Sequence, residues 1–166
     1  MLGGSESLLG ESATLALASA GGLVAAVTCY VFRDRLTAPW ALRVASLGYA
    51  AVVMGAWLGT RLLIRPDRLD VGSPVAALGT AVFVGVVGAF IATQLVLPLY
   101  LLSRGQVVAP SLGLFVGTGF VLQTALTVEA GTSGIIIYLL LIYPAVIVGT
   151  VLASVIEALA GNILRI

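Results

Sequence analysis

Long apolar stretches separated by short polar turns form the main pattern along this chain. The apolar stretches cover about 13–32, 41–64, 75–102, 107–128 and 135–160. A helix needs about 20 apolar residues to cross a bilayer, so each stretch is long enough to do so. Because the turns between them are short, consecutive helices should be antiparallel neighbours. The pattern therefore predicts an all-α integral membrane protein, a five-transmembrane-helix bundle with short antiparallel connections.

Proline and serine mark helix starts and bends in this pattern. Ser73-Pro74 predicts the start of the third helix, with the serine as cap and the proline at the first position. The third stretch is longer than a bilayer requires, so we expect it to tilt, or to bend near Pro98. Pro144 should bend the fifth helix in the same way.

The composition supports a membrane location. Hydrophobic residues make up 60% of the chain and charged residues only 9%, whereas soluble domains carry roughly a quarter charged residues. A net charge of +1 with no basic run is not the charge pattern of a nucleic-acid-binding protein. The absence of lysine and the abundance of Ala, Gly and Val are typical of a GC-rich prokaryotic genome.

The chain lacks the residues that several kinds of catalytic and metal-binding sites need. The chain has no His, no Lys and a single cysteine, Cys29, which we expect to be a small core residue. This excludes His/Cys metal sites, a Ser-His or Cys-His nucleophile pair and a lysine Schiff base. A phosphate-binding glycine loop followed by lysine is also missing. We therefore expect no cofactor, no metal and no enzyme activity.

The arginines indicate an orientation. On one side of the predicted bundle are Arg33, Arg35, Arg43, Arg104 and Arg165; on the other are Arg61, Arg65 and Arg68. Because cytoplasmic loops are enriched in arginine, the bias predicts a cell-membrane protein with its N-terminus outside and its C-terminus cytoplasmic. Residues 1–12 would then be a short extracytoplasmic N-terminus, 13–160 a single transmembrane bundle and 161–166 a short C-terminal tail.

Small residues recur every four positions in the predicted helices. The longest row, in the third helix, is Ala77, Ala81, Gly85, Ala89 and Thr93, and the fifth helix has Ala145, Gly149 and Ala153. Shorter rows, such as Ala18, Gly22 and Ala26, are expected from composition alone. Small residues let helix backbones approach closely in lipid. The long row should mark its helix as central, packed within this chain; the alternative is a face for another subunit.

Polar residues within the fourth helix are candidates for a site. Gln123 and Thr127 share one helix face, and Gln94 with Thr93 on the third helix are their expected partners. These groups form either interhelical hydrogen bonds that hold the bundle together or a polar path. Glu129 comes last in its helix, where we expect it to reach solvent, with a functional acid as the alternative.

Charged residues near the other helix ends have similar alternatives. Glu157 continues the small-residue row of the fifth helix, either as an interfacial acid or as an acid that faces a partner or proton path. Arg43 and Arg61 bracket the second helix with Trp40 and Trp57 nearby, a pattern typical of anchoring at the membrane interface.

Three hypotheses of function follow. The first is a non-catalytic subunit or scaffold of a membrane complex, whose partners are the lipid bilayer and other membrane subunits or a second copy. The alternative is a small oligomeric transporter or channel with a polar path near Gln94 and Gln123. An intramembrane enzyme is the weakest hypothesis, because acid, base and metal candidates are nearly absent.

Overall fold

The fold contains the five long helices that the apolar pattern predicts. A computed structural model of the chain describes residues 6–7, 10–36, 38–64, 73–105, 108–128 and 133–163. Within these ranges, five helices are long and apolar enough to cross a membrane: Glu11–Val31, Pro39–Ile64, Pro74–Ser103, Val108–Leu126 and Gly134–Gly161. Glu129 lies outside the described residues, so its predicted position is untested.

The structure is almost entirely helical. Its helices are α1 (Glu11–Val31), α2 (Arg33–Leu36), α3 (Pro39–Ile64), α4 (Pro74–Ser103), α5 (Val108–Leu126), α6 (Ser133–Ile137), a π-helix (Tyr138–Ile142) and α7 (Tyr143–Ile163). The last three follow one another without a break and form the fifth long helix. Two-residue strands, β1 (Glu6–Ser7) and β2 (Thr127–Val128), pair antiparallel and join the N-terminal segment to the end of α5.

The start of α4 has the predicted cap. The Ser73 hydroxyl accepts a hydrogen bond from the Ala76 backbone N–H at 3.2 Å, and Pro74 is the first helical residue. At the other end, Gly105 has a φ of +84°, a left-handed conformation that costs glycine little. This residue lets the chain turn sharply from α4 towards α5.

The distortion expected at Pro144 takes the form of a wider helical turn. Proline has no N–H, so Pro144 cannot bond the carbonyl of Leu140 four residues earlier. The preceding five residues are π-helical, and the Tyr143 N–H donates to the Tyr138 carbonyl five residues back. Pro98 is buried inside α4.

The helix at the centre of the bundle is α5. It contacts α1, α3, α4 and α7, and 44% of the residues in its most apolar stretch are buried, against 11% in α4. The expectation that α4 is central and packed within this chain is therefore wrong. So is the expectation that all consecutive helices are neighbours, since α1 packs mainly against α5 rather than α3.

Contact between backbones explains the pairing of α1 with α5. The buried residues of α1 are Thr14, Ala18, Gly22, Ala26 and Cys29. A Cβ atom added to Gly22 would lie 2.5 Å from the Phe115 carbonyl oxygen and 3.3 Å from the Gly119 nitrogen. The short row in α1 therefore forms an interface that only a residue without a side chain allows at this point.

Two apolar clusters fill the interior around α5. One includes Trp57 of α3, whose ring centre lies 5.4 Å from that of Phe83 on α4. The other includes Cys29, Leu95 and Leu114. Cys29 is 5% exposed, which confirms its prediction as a core residue.

Candidate functional site

A polar cavity of about 330 Å³ lies at the end of the bundle where α1 and α6 begin and α3 and α5 end. We call it the end cavity. Its polar lining residues are Glu11, Thr14, Arg61, Gln123, Thr124 and Thr127. Gln123 and Thr127, which the sequence places on one helix face, thus lie together with polar residues from two other helices, α1 and α3. The volume is at the lower end of the range, roughly 300–1,000 Å³, of small-molecule sites.

Arg61 is buried near the end of the bundle, whereas the sequence pattern predicts a side chain that reaches out to anchor α3 at the membrane interface. The residue is 8% exposed, and its guanidinium carbon lies 4.2 Å from the centre of the Trp57 ring. Positions 57 and 61 are four apart and share a helix face, which was the sequence signal for this cation–π contact. Trp40 and Arg43, at the other end of α3, are exposed.

The threonines of the end cavity have different hydrogen-bonding capacities. The Thr124 hydroxyl donates to the Phe120 carbonyl and the Thr127 hydroxyl to the Gln123 carbonyl, both at 2.8 Å. Their hydrogens are therefore occupied, and their oxygens remain acceptors. Thr14 is 2% exposed, and its hydroxyl makes no hydrogen bond to any residue that the structure describes. The cavity thus combines a cation with hydroxyl groups and the half-buried Gln123 amide.

Gln94 lies apart from this cavity, in the packed centre of the bundle. It is 1% exposed, and its side-chain oxygen accepts a hydrogen bond of 2.5 Å from the Tyr138 hydroxyl. The same hydroxyl lies 3.3 Å from the Gly117 carbonyl oxygen. The predicted pairing of Gln94 with Gln123 is therefore wrong. Sequence reasoning missed Tyr138, because nothing in its apolar surroundings marks it as the partner.

Thr93 does not line the cavity either. It is exposed on α4, and its hydroxyl donates to the Phe90 carbonyl at 2.6 Å. Because that hydrogen is used, the Tyr143 hydroxyl is the donor in the 2.7 Å contact between the two side chains. Thr93 therefore links α4 to α7 at the outer surface.

Glu157 has a role that neither sequence hypothesis included. Its carboxylate accepts hydrogen bonds from the backbone N–H groups of Val108 at 3.2 Å and Ala109 at 2.9 Å. These N–H groups lie at the start of α5, where they have no partner within the helix. A negative charge is also favourable at this end of a helix dipole. Glu157 therefore connects α7 to the start of the central helix.

The long small-residue row lies on the outside of α4. Ala77 is half-buried, while Ala81, Gly85 and Ala89 are exposed; we call these four residues the α4 outer row. A Cβ atom added to Gly85 would meet nothing within 4 Å. The corresponding row on α7 (Ala145, Gly149 and Ala153) is exposed as well. Neither row packs tightly within the chain.

Two features of the described residues are candidates for a function. One is the end cavity, which is lined by charged and hydrogen-bonding groups. The other is the pair of exposed small-residue rows on α4 and α7. No protein family, curated protein or solved structure matches this chain.

Proposed function

We propose that this chain is a multi-pass protein of the cell membrane and acts as a non-catalytic subunit of a membrane complex. Its five long apolar helices, together with the large apolar side chains exposed along them, support insertion in a bilayer. The arginine bias favours an N-terminus outside and a C-terminus in the cytoplasm.

The exposure of the α4 outer row is the observation on which this proposal depends. In lipid, apolar side chains gain little by leaving their surroundings, so helices associate where small residues permit close backbone packing. Gly22 of α1 shows such packing within the chain, against the backbone of α5. At Gly85 the same space is open. A helix of another membrane protein is the occupant that this surface fits.

The test is the mass and composition of the tagged protein extracted gently from its native membrane. We expect other proteins to be present at fixed stoichiometry. We expect Gly85→Leu to prevent their binding, because the leucine side chain would fill the space beside the α4 outer row. The control is Gly79→Leu, because Gly79 is also exposed on α4 with nothing within 4 Å of an added Cβ. Two residues correspond to roughly 200° around a helix, so Gly79 is well separated from Ala77 in the row.

Two results would contradict the subunit proposal. One is a monomer in the native extract; the other is a complex that Gly85→Leu and Gly79→Leu affect equally. A homogeneous homo-oligomer would instead favour the second candidate, a small oligomeric transporter or channel. The observation in favour of that candidate is the end cavity, which Gln123 and Thr127 line.

A further inference from the structure

We propose that the end cavity is a binding site for an oxyanion, a phosphate or carboxylate group, held by the guanidinium of Arg61. This inference is independent of the subunit proposal, since the cavity and the α4 outer row involve different residues. The ligand source is either the headgroup of a membrane lipid or a small anion from water. Both sources present the same chemical group to the protein.

The first argument is the position of the charge. Arg61 is 8% exposed and lines the cavity, so the cavity is bordered by a cationic side chain that is held within the bundle. A guanidinium has five N–H donors in a planar fork that matches carboxylate and phosphate oxygens. With five donors it can bind an oxyanion in addition to its contacts within the protein.

The second argument is that Arg61 is held in place before any ligand binds. The guanidinium carbon lies over the Trp57 ring, 4.2 Å from its centre, and that ring is packed against Phe83. Trp57 is 2% exposed, so neither partner can move freely. A fixed donor loses little conformational entropy on binding, which favours affinity.

The third argument is the buried hydroxyl of Thr14. This group lines the cavity and forms no hydrogen bond to any described residue, although a buried hydroxyl normally has a partner. Gln123 adds an amide that can donate as well. Donors from all three residues therefore border the space in which we place the ligand.

The remaining polar groups narrow the ligand class. The oxygens of Thr124 and Thr127 are acceptors, and the exposed carboxylate of Glu11 lies at the edge of the cavity. These groups disfavour a multiply charged anion and favour one that carries hydroxyl or ammonium donors. A phosphodiester headgroup and a small hydroxy or amino acid both have this combination.

Trp57 provides a direct measurement of binding. The chain has two tryptophans, and Trp40 is 71% exposed at the far end of α3. A Trp40→Phe variant of the full chain in a neutral maltoside detergent therefore reports on Trp57 alone. At constant ionic strength, and at a mildly acidic pH that keeps inorganic phosphate mainly as its monoanion, the fluorescence is titrated with inorganic phosphate, with acetate and with dihexanoyl phosphatidylglycerol.

We expect a saturable change with at least one of these probes. Arg61→Gln should weaken that binding roughly tenfold or more, and Thr14→Val about threefold. The matched control is Arg43→Gln, an exposed arginine of the same helix, which should leave the affinity unchanged. Binding of the lipid alone identifies a headgroup site, and binding of phosphate or acetate identifies a site for soluble anions.

Two outcomes would overturn the proposal: no saturable change with any probe, or an equal loss of affinity in Arg61→Gln and Arg43→Gln. Gel filtration checks that each variant is folded. If Arg61→Gln fails that check, Thr14→Val and Gln123→Leu decide the matter, and unchanged affinity in both would refute the site.

Discussion

The interface between α1 and α5 and the outer surface of α4 share one sequence pattern and have opposite environments. In α1, the row that contains Gly22 is buried against the backbone of α5. In α4, the longer row that contains Gly85 is exposed. Four-residue spacing of small residues therefore identifies surfaces that permit close approach. It does not identify which of them another helix of the same chain occupies.

The largest expected difference in stability is between two variants in which a leucine replaces a glycine, one in the buried row of α1 and one in the exposed row of α4. Gly22→Leu should lower the free energy of unfolding by about 3 kcal/mol or more, because the side chain overlaps the α5 backbone. Gly85→Leu should change it by less than about 0.5 kcal/mol, as for an exposed substitution. The measurement is unfolding of each purified variant in a detergent–SDS titration, followed by circular dichroism.

Equal destabilisation by these two substitutions would remove the distinction between the buried and the exposed row. The same titration with Gly22→Ala sharpens the test, since its Cβ alone would lie 2.5 Å from the Phe115 carbonyl oxygen. A stability close to that of the unmodified chain would mean that α1 can move away from α5 at little cost.

A smaller loss of stability is expected from removing a side-chain hydrogen bond than from forcing two helix backbones apart. Tyr138→Phe removes the buried hydrogen bond to Gln94, so it should destabilise the bundle by about 1–2 kcal/mol. Tyr143→Phe removes the exposed contact with Thr93, whose hydroxyl keeps its bond to the Phe90 carbonyl. Its cost should stay below about 0.5 kcal/mol. Unfolding titrations of the two variants, compared side by side, check this order; the reverse order would contradict it.

A further effect, smaller than that of Tyr138→Phe, is expected at Glu157, where the exposed row of α7 ends in a side chain that contacts the start of α5. Glu157→Ala should cost about 1 kcal/mol, because two N–H groups at the start of α5 lose their acceptor. Glu157→Gln should cost less, since its amide oxygen can still accept one bond. Thermal unfolding of both variants measures the difference. No shift in either would mean that the start of α5 finds another acceptor.

Much of the fold was predictable from the sequence because it depends on local properties. Apolar runs long enough for a bilayer gave the five long helices, and Ser73 with Pro74 marked the start of α4. Pro144 indicated a distortion because the missing N–H is a property of the residue itself. Such features require only neighbouring residues in the chain.

The candidate site was only partly predictable. Gln123 and Thr127 were recognised because a polar residue in an apolar helix is conspicuous. The inward position of Arg61 was not, since the spacing from Trp57 to Arg61 fits both a cation–π contact and an interface anchor. Thr14 gave no signal, because a threonine near a helix end is ordinary and its burial depends on α5.

The sequence by itself determined that this chain forms five long apolar helices and which residue types its chemistry can use. Only the tertiary structure decided that α5 is central, that Gln94 pairs with Tyr138 and that Arg61 lines a cavity. The physical reason is that helix formation depends on short-range hydrogen bonds and hydropathy, whereas helix pairing depends on shapes brought together from distant positions. A row of small residues has the same spacing whether a backbone fills it, as at Gly22, or leaves it open, as at Gly85.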